Sequence, residues 1–486
     1  MNKADPKKKN RVLIFGANEI GRMAYKSLVS DKLNHTEVIG FIDDATRKYG
    51  KTINGIKVIG NRFHINTLLQ IHSITELIIA EPDAKAGDLN ELIKICQSSG
   101  VRYRIFAPIS NSMFKGNYIT PPRFAELSDL LEDRKTHIDY SSIEKIISGR
   151  IVLLNGSGGE LGLELCQKIL ESGCKKLVII DRYESYLAEL VTSLYSNFQV
   201  DRIVPILINN EKINSLEIVF EDYRPEIIFH AGMRKFAPVM RAELDDVVGS
   251  NYVRTFNLAR VTEKYKCKNF VLISSVASRN GGNFIAESLY VAELALKHFF
   301  GETKTRLSVV RFCNIVENRG GIVSHIDHQI RKQNTVTFPA ENAKTYLISK
   351  KRAVEIILQT LADSIEMNNG DGKFVSEPGT SVSFIEVAGK IANLYGLELG
   401  INVVVKFNSL LGPQADLKPD NTSNLILDYP PDINLQPEDI FLNSEKIKLK
   451  FKQFVYSNYV NLSVPELTKQ TQELISLCKS SIVMSN

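Results

Sequence analysis

Two segments of the sequence begin in the same way, and this repeat constrains the fold more than any other feature. Arg11–Phe15 and Arg150–Leu154 are short apolar runs, and each is followed by a glycine-rich turn and an amphipathic stretch. A buried strand, a glycine-rich turn and a helix together form the first unit of a doubly wound α/β domain. The sequence therefore predicts an α/β protein with two tandem Rossmann-like domains, each built on a doubly wound parallel sheet.

Further apolar runs alternate with segments of helical period after both openings. This alternation is typical of parallel sheets whose strands are joined by crossover helices. Beyond Phe312 the pattern loosens, which predicts a smaller mixed region towards the C-terminus. We expect strands at the apolar runs, which are Glu37–Ile42, Glu76–Ala80, Val101–Phe106, Lys176–Ile180, Arg202–Ile208, Glu226–His230, Asn269–Ser274 and Leu307–Phe312.

The 486 residues divide into four predicted segments. A first Rossmann-like domain over 11–109 precedes a linker over 110–149, where the strand–helix alternation stops and two consecutive prolines occur. The second domain covers 150–410, and a C-terminal extension covers 411–486. Within the extension, the polar stretch Asp416–Pro437 contains several prolines and favours a long irregular loop.

The composition excludes several classes of protein. With 44% hydrophobic and 24% charged residues, the chain has the composition of a globular protein. A net charge of +5 is small for this length and gives no reason to expect nucleic-acid binding, which normally needs a concentrated basic face. No apolar run approaches the roughly 18–20 residues of a membrane-spanning helix, and the opening residues lack the apolar region of a signal peptide. Six cysteines without a CxxC pair predict a reducing compartment and no metal site. We therefore expect a cytoplasmic protein without an integral membrane segment.

The turn of the second domain has the spacing of a dinucleotide site. Gly156, Gly159 and Gly162 lie between a predicted strand and a predicted helix, and the next strand ends at Asp181. The glycines allow a tight turn and a close approach of pyrophosphate, and an acidic residue about 20 positions on accepts hydrogen bonds from the adenosine ribose. This pattern predicts a dinucleotide site and favours NAD. Arg182 would tolerate a 2′-phosphate, so the residues leave NADP as an alternative.

The first domain carries a weaker version of the motif. Gly16 and Gly21 flank four residues without a middle glycine, and the next predicted strand ends at Asp43 and Asp44. Because the middle glycine is the one that admits the pyrophosphate, the pattern favours a structural or regulatory domain over a second nucleotide site.

Several motifs in a fixed order resemble one family, the long-form nucleotide-sugar 4,6-dehydratases and epimerases of surface-polysaccharide synthesis. This CapD-like group belongs to the extended short-chain dehydrogenases, and the resemblance covers about residues 11–410. The first domain is similar to the group's CoA-binding-like module. Longer members of the group place membrane helices ahead of that module, and this chain begins the module at Arg11. The motifs that carry the resemblance are GFIDDATRKYGKTINGIKVIG, AELSDLLEDR, GSGGELG, RPEIIFHAGMRKFAPVM, SNYVRTFNLA, KNFVLISS and VVRFCNIVENRGG.

The resemblance implies a reaction and a set of residues. NAD would take a hydride from C4 of a UDP-linked N-acetylhexosamine, water would leave across C5–C6, and the hydride would return to C6. The nucleotide sugar would be bound on the substrate side of the second domain, in a homo-oligomer or with a partner protein. Implied contacts to the cofactor are Ala231, Asn251 and Ser274, and implied contacts to the substrate are Lys235, Asn314 and Arg319.

The sequence departs from the family at the proton-transfer positions. The family's acid and base become Val276 and Ala277, and the lysine that would hold the nicotinamide ribose becomes Leu289. The weak candidates for replacement acid–base groups are Ser275, Glu287 and Tyr290. Because a general acid or base contributes ~10²–10⁴-fold to a rate, we expect weak or lost dehydratase activity.

Two hypotheses remain from the sequence. Either the chain is an active nucleotide-sugar enzyme with unusual acid–base groups, or it is a catalytically silent partner or regulator that binds NAD or a nucleotide sugar. His325 and His328 have an HxxH spacing on one helical face, but no second group of ligands accompanies them, and the pattern favours an ordinary helix turn over a metal site.

Overall fold

The computed structural model describes residues 10–30, 36–81, 86–106, 126–131, 138–156, 160–210, 212–233, 249–280, 284–301, 303–316, 321–366 and 372–408. Most of the predicted linker and the whole predicted extension lie outside the described residues. The chain divides into two units. The first unit comprises residues up to 132 together with 326–337 and 385–407, and the second comprises 133–325, 338–384 and the residues from 408 onward.

The elements alternate along the described chain as strand and helix. The strands are β1 (Asn10–Phe15), β2 (Thr36–Ile42), β3 (Thr52–Ile53), β4 (Ile56–Gly60), β5 (Glu76–Ile79), β6 (Arg102–Ile105), β7 (Ile151–Asn155), β8 (Lys176–Asp181), β9 (Ile203–Leu207), β10 (Ile227–His230), β11 (Asn269–Ser275), β12 (Arg306–Phe312), β13 (Asn314–Ile315), β14 (Thr335–Phe338), β15 (Lys344–Ile348), β16 (Lys373–Glu377), β17 (Thr380–Ser383) and β18 (Val404–Phe407). The α-helices are α1 (Glu19–Ser30), α2 (Ile65–Ile71), α3 (Ala86–Ser98), α4 (Tyr140–Ile147), α5 (Glu160–Glu171), α6 (Glu184–Tyr195), α7 (Ile213–Tyr223), α8 (Arg254–Lys264), α9 (Ala277–Asn280), α10 (Phe284–Gly301), α11 (Ile322–Gln333), α12 (Lys350–Asp363) and α13 (Phe384–Leu394).

The first unit is built on a six-stranded sheet in the order β3-β4-β2-β1-β5-β6. Its pairs are parallel except for the short hairpin between β3 and β4. Buried apolar side chains cover both faces of the sheet, as a parallel sheet with helices on each side requires. Leu394 at the end of α13 packs against this core, and its carbonyl accepts a hydrogen bond from Tyr103 Oη at 3.3 Å.

The second unit is built on a seven-stranded sheet in the order β16-β12-β11-β10-β7-β8-β9, with every pair parallel. One face packs against α4, α5, α6 and α12, and the other against α7, α8 and α10. The chain runs outward from β7 to β9 and then returns to place β10 on the other side of β7. Because strand order reverses there, the carboxyl ends of β7 and β10 border the crevice in which such sheets bind ligands.

Two small sheets lie outside the main sheets. One contains β13, β15 and β17, with a parallel and an antiparallel pair, and the other pairs β14 with β18. The predicted α/β class with two doubly wound parallel sheets is confirmed.

Candidate functional site

A cleft of about 200 Å³ lies at the carboxyl ends of the central strands of the second unit. It opens where the strand order reverses, beside β7, β8 and β10. Most of its described lining is polar or charged, and it contains one carboxylate and two guanidinium groups. The lining residues are Asn155, Gly156, Asp181, Arg182, Tyr183, Tyr186, Asn210, Ala231, Gly232, Met233, Ser250 and Arg254.

Gly156 allows the first turn of the cleft to pass against the loop after β10. Its φ is +80°, and a Cβ placed there would lie 2.2 Å from Gly232 Cα and 2.3 Å from Gly232 N. The Gly156 N–H donates to Ile180 O at 3.0 Å, which fixes the turn on the neighbouring strand. No side chain fits this position. Glycine therefore allows the two backbone segments to lie against each other beside the cleft.

A buried polar chain supports the floor of the cleft. Asn210 Nδ2 donates to Asn155 Oδ1 at 3.3 Å, and Asn155 Nδ2 lies 2.8 Å from His230 Nδ1. The Gly232 N–H also donates to His230 Nδ1, at 3.3 Å. Since two donors are directed at Nδ1, the ring proton belongs on Nε2, which lies 2.7 Å from Thr255 Oγ1. The network fixes the ends of β7 and β10 relative to α8.

Asp181 and its neighbours form one side of the cleft. Asp181 is 6% exposed at the end of β8, and its Oδ1 accepts the Tyr183 N–H at 3.0 Å. The Arg182 guanidinium lies over the Tyr183 ring, 4.5 Å from its centroid, and donates to Tyr183 Oη. The Tyr183 and Tyr186 rings meet edge to face at the rim. The Asp181 carboxylate, which can accept hydrogen bonds from hydroxyl groups, therefore lies beside two exposed tyrosine rings and the Arg182 guanidinium.

Ser250 and Arg254 also line the cleft, and the sequence analysis missed both. A π-helical turn over Gly249–Val253 precedes α8, and Arg254 Nη1 donates to Ser250 Oγ at 3.1 Å. Arg254 is 6% exposed. The signal in the sequence was an arginine at the first position of a helix that follows an implied cofactor residue, Asn251.

Of the other predicted cofactor residues that the structure describes, Ala231 lines the cleft, whereas Gly162, Asn251 and Ser274 do not. Gly162 is buried in α5, and Gly159 lies outside the described residues. Asn251 is fully buried and donates to Ser288 Oγ at 2.9 Å. Ser274 is fully buried and donates to Glu293 Oε1 at 2.5 Å. In the described contacts, these two side chains therefore hold α10 in place.

The positions that correspond to the family's acid, base and ribose lysine carry apolar side chains, of which Val276 and Leu289 are buried and Ala277 is half-buried. Val276 is 8% exposed, and Leu289 is fully buried in the core with the apolar side chains of β10 and β11. Ser275 is 7% exposed, and its Oγ accepts the Ala277 N–H at 3.2 Å. Tyr290 is half-buried. The side chain of Glu287 lies outside the described part of the structure.

The predicted substrate residues are placed only in part. Asn314 is half-buried on β13, and its Nδ2 donates to Thr345 Oγ1 at 3.0 Å. Lys235 and Arg319 lie outside the described residues. The assignment of these three residues to a substrate stays a prediction.

The turn of the first unit is held by a carboxylate of its own domain. Asp43 Oδ2 accepts the Ala17 N–H at 2.8 Å and lies 2.7 Å from Lys48 Nζ, while Oδ1 accepts the Ala45 N–H at 2.9 Å. Burial raises the pKa of Asp43, but these hydrogen bonds outweigh it and the pKa lies below its usual value. An amide of the turn is thereby satisfied within the domain, and the role of this domain stays a prediction.

The part of the chain that the structure describes holds no group of three metal-ligating side chains. On α11, Asp327 accepts a hydrogen bond from Tyr395 Oη at 2.5 Å and pairs with Arg331 at 3.5 Å. The carboxylate between the two histidines of the HxxH segment is thus engaged in ordinary helix-surface contacts. Among the described helices, none combines the length and apolarity needed to cross a bilayer.

Comparison with known proteins agrees with the motifs. The family described as polysaccharide biosynthesis protein matches residues 152–408, and the chain belongs to this family. The probable polysaccharide biosynthesis protein EpsC of Bacillus subtilis is 26% identical over 388 residues, which cover 80% of this chain and 64% of the relative. The capsular polysaccharide biosynthesis protein CapD of Staphylococcus aureus is 24% identical over 392 residues, or 80% and 65%. The chain thus spans just under two thirds of the length of these relatives.

Solved structures of similar fold include Pen from Bacillus thuringiensis and the enzyme WbmH of Bordetella bronchiseptica in complex with NAD⁺. Pen is 18% identical with a TM-score of 0.48, covering 54% of this chain and 78% of its own. WbmH is 16% identical with a TM-score of 0.44, covering 55% and 86%.

Proposed function

We propose that this chain binds NAD and a UDP-linked N-acetylhexosamine in polysaccharide biosynthesis, as a nucleotide-sugar dehydratase or epimerase homologue with weak or lost turnover. One observation carries the proposal. The second unit keeps an open polar cleft at the carboxyl edge of its sheet. The positions of the family's acid and base hold Val276 and Ala277, and the position of its ribose lysine holds Leu289, which is fully buried.

The cleft residues fit a dinucleotide. Gly156 leaves room that a Cβ would fill, so a phosphate can approach the backbone of the turn. Asp181 would accept hydrogen bonds from the adenosine ribose hydroxyls, and the Tyr183 and Tyr186 rings would cover the adenosine at the rim. When bound, NAD supplies a hydride acceptor and donor.

The proton-transfer positions support the weak-turnover part of the proposal. A group that moves a proton needs a titratable atom within hydrogen-bond reach of the substrate. Val276 and Ala277, at the positions of the family's acid and base, have none, and the Ser275 hydroxyl already accepts a backbone N–H. Loss of two such groups removes on the order of 10⁴-fold or more of the rate.

A second candidate function follows from the same observation. Leu289 packs in the core with no exposed surface, so its position contributes to stability and offers nothing to a ligand. A chain with this arrangement would serve as a silent NAD- or nucleotide-sugar-binding partner or regulator of polysaccharide synthesis. The homo-oligomeric state and the cytoplasmic location stay predictions from the sequence.

Incubation of the purified chain with UDP-N-acetylglucosamine and NAD tests the proposal. The 4-keto-6-deoxy product is followed by mass spectrometry for the wild type and for a Glu287→Gln, Tyr290→Phe double variant. We expect little or no product from either. Clear turnover that survives the double substitution would exclude both the weak-turnover proposal and a replacement role for these two residues. Turnover that the double substitution abolishes would assign them that role.

A further inference from the structure

Helix α10 carries a charged side chain at a position that faces the core. Leu289, Leu296 and Phe300 belong to its buried apolar stripe, which packs in the core of the second unit. Glu293 lies on the same stripe, one turn from Leu289 and one turn from Leu296, and is fully buried. Because a carboxylate loses its hydration there, it needs a partner of opposite charge and further hydrogen bonds.

The partners of Glu293 lie on two neighbouring strands. Its Oε1 accepts from Ser274 Oγ of β11 at 2.5 Å, and its Oε2 accepts from Nε and Nη2 of Arg311 on β12 at 2.9 and 2.7 Å. Ser274 and Arg311 are register partners, so the carboxylate is held at one level of both strands. Arg311 Nη1 also donates to Ser376 Oγ of β16, the next strand, at 3.4 Å. A slip of α10 by one residue would turn the helix by about 100° and break these directional bonds.

Stability alone is a poor explanation for this ion pair. Replacing a buried ion pair by apolar side chains of similar volume is often neutral or stabilising, whereas the pair can fix one arrangement of the elements that carry it. Apolar contacts are not directional, so the stripe of α10 tolerates small shifts better than the ion pair does. The pair of Glu293 and Arg311 is therefore suited to fix the position of α10 on β11 and β12.

The position of α10 reaches the cleft through a second set of buried side chains. Asn251 Nδ2 donates to Ser288 Oγ at 2.9 Å, and Ser288 Oγ donates to the Ile285 carbonyl of α10 at 2.7 Å. Asn251 belongs to the π-helical turn Gly249–Val253, whose Ser250 lines the cleft. Such turns are rare and occur frequently at functional sites. The described contacts thus run from the ion pair through α10 to a wall of the cleft.

We infer that the Glu293–Arg311 pair positions this wall, through Ser288 and Asn251, and so sets the affinity of the cleft for NAD. The inference rests on the proposed function, since it concerns the same cleft. Glu293 and Arg311 are positioning residues: neither is among the described lining residues of the cleft, and both act through α10.

An apolar replacement of the pair separates this role from stability. Glu293→Leu together with Arg311→Met keeps similar volumes and removes both buried charges. The unfolding free energy in urea should stay near that of the wild type or rise. Calorimetric titration should show NAD binding about 10-fold weaker, the loss that follows when one hydrogen bond to the ligand is misplaced. An unchanged NAD affinity in the folded double variant would overturn the inference.

The exposed pair of Glu217 and Lys264 provides a matched control. Its charged atoms lie 2.7 Å apart, and it joins α7 to α8, the helix that follows the π-helical turn. Glu217→Leu together with Lys264→Met makes the same chemical changes outside the buried network and should bind NAD as the wild type does. A loss of affinity equal to that of the buried double variant would contradict a specific role for Glu293 and Arg311.

Ser288→Ala tests the route to the cleft while the ion pair stays intact, and it decides the question if the buried double variant does not fold. The substitution removes the acceptor of the Asn251 amide, and we expect NAD to bind about 3- to 10-fold more weakly. Added to the buried double variant, Ser288→Ala should cost little more, because changes along one chain of contacts are not additive. Full NAD affinity in Ser288→Ala, or losses that add in the triple variant, would refute the route.

The outcomes separate the inference from the function on which it rests. NAD binding that is equally tight in the wild type and in every variant would overturn the inference and leave the proposed function intact. Failure of the wild type to bind NAD would overturn the proposed function, and the inference with it.

Discussion

Gly156 meets two demands at one position. Its backbone adopts a positive φ, and its α-carbon lies against the backbone of Gly232, so both conformation and space exclude a side chain. Asp181 and Arg254 then set the charge of the cleft that this glycine keeps open. Replacing Gly156 by alanine, which adds a single methyl group, tests whether this position requires glycine.

Gly156→Ala should destabilise the second unit far more than Gly149→Ala. Gly149 also has a positive φ, of +71°, but a Cβ there meets nothing within 4 Å. The control therefore carries only the backbone cost, about 1–3 kcal/mol, whereas Gly156→Ala adds a clash with backbone. Urea unfolding of both variants gives the difference. Equal losses of unfolding free energy would show that the close approach at Gly232 is unimportant.

A fully buried arginine, Arg311, forms an ion pair with a buried glutamate, Glu293. Arg311 Nε and Nη2 lie 2.9 and 2.7 Å from Glu293 Oε2, and both side chains are almost entirely buried. Glu293→Gln removes the carboxylate that pairs with Arg311 in the core and should cost about 3–5 kcal/mol of unfolding free energy. Glu217→Gln, which breaks a solvent-exposed pair with Lys264, is the control and should change little. A loss in Glu293→Gln no larger than in the control would contradict the account.

The pairing of β5 with β6 depends on a buried carboxylate. Glu76, 3% exposed, accepts from Arg104 Nε at 2.5 Å and from Asn10 Nδ2 at 2.8 Å. Burial raises its pKa, but these hydrogen bonds outweigh burial and the pKa lies below its ordinary value. The carboxylate of Glu76 therefore links the start of β5 to the first residue of β1 and to Arg104 of β6.

This pKa gives a pH dependence with a definite sign. A carboxyl with a lowered pKa stabilises the fold above its unfolded pKa, and the stabilisation disappears as the pH falls through the folded value. Glu76→Gln should thus cost about 1–3 kcal/mol at pH 7, and the deficit should shrink as the pH falls below the ordinary glutamate range. Urea unfolding against pH measures it, with Glu37→Gln at an exposed pair with Arg11 as control. A deficit that does not depend on pH would refute this role.

Most strands of the two main sheets could be predicted because they are short, largely apolar runs. The run Lys176–Ile180 became Lys176–Asp181, and Asn269–Ser274 became Asn269–Ser275. The pairing of β16 beside β12 could not be predicted, because it joins residues more than 60 positions apart with no local pattern to mark it. The same holds for 326–337 and 385–407, which belong to the first unit.

The glycine and the acidic residue of the cleft could be predicted from the sequence, whereas most of its other lining residues could not. Gly156, Asp181, Arg182 and Ala231 line it as the motif indicates. Arg254 was not predicted as a cleft residue because a charged residue at the start of a helix is ordinarily solvated. In the structure it follows the π-helical turn that precedes α8 and lines the cleft. Asn251 and Ser274 have buried partners that sequence spacing does not reveal.

Across the described residues, four cysteines are buried thiols, and Cys313 is half-buried. Burial raises the pKa of Cys96, Cys267 and Cys313 to about 12 and that of Cys174 to about 11, and it also raises the pKa of Cys166. Because the folded values lie above the unfolded one, these thiols favour the fold below the ordinary cysteine pKa, and this contribution is lost as the pH rises through the folded values.

In a Cys313→Ser, Cys478→Ser double variant, only the four buried cysteines remain. We expect them to react with a thiol-specific chromogenic disulfide at pH 8 only at the rate of unfolding, because the thiolate is the reactive form. Denaturant should expose all four at once. Rapid reaction of any of them in the folded protein would contradict the buried placement.

The central claim is that the second unit keeps a working dinucleotide cleft. Calorimetric titration of NAD into the full-length chain, beside its Gly156→Ala and Gly149→Ala variants, tests it most directly. The account predicts one-to-one binding by the wild type and by Gly149→Ala, and none by Gly156→Ala, because the added methyl group lies within 2.2 Å of Gly232 Cα. No binding by the wild type, or undiminished binding by Gly156→Ala, would contradict it.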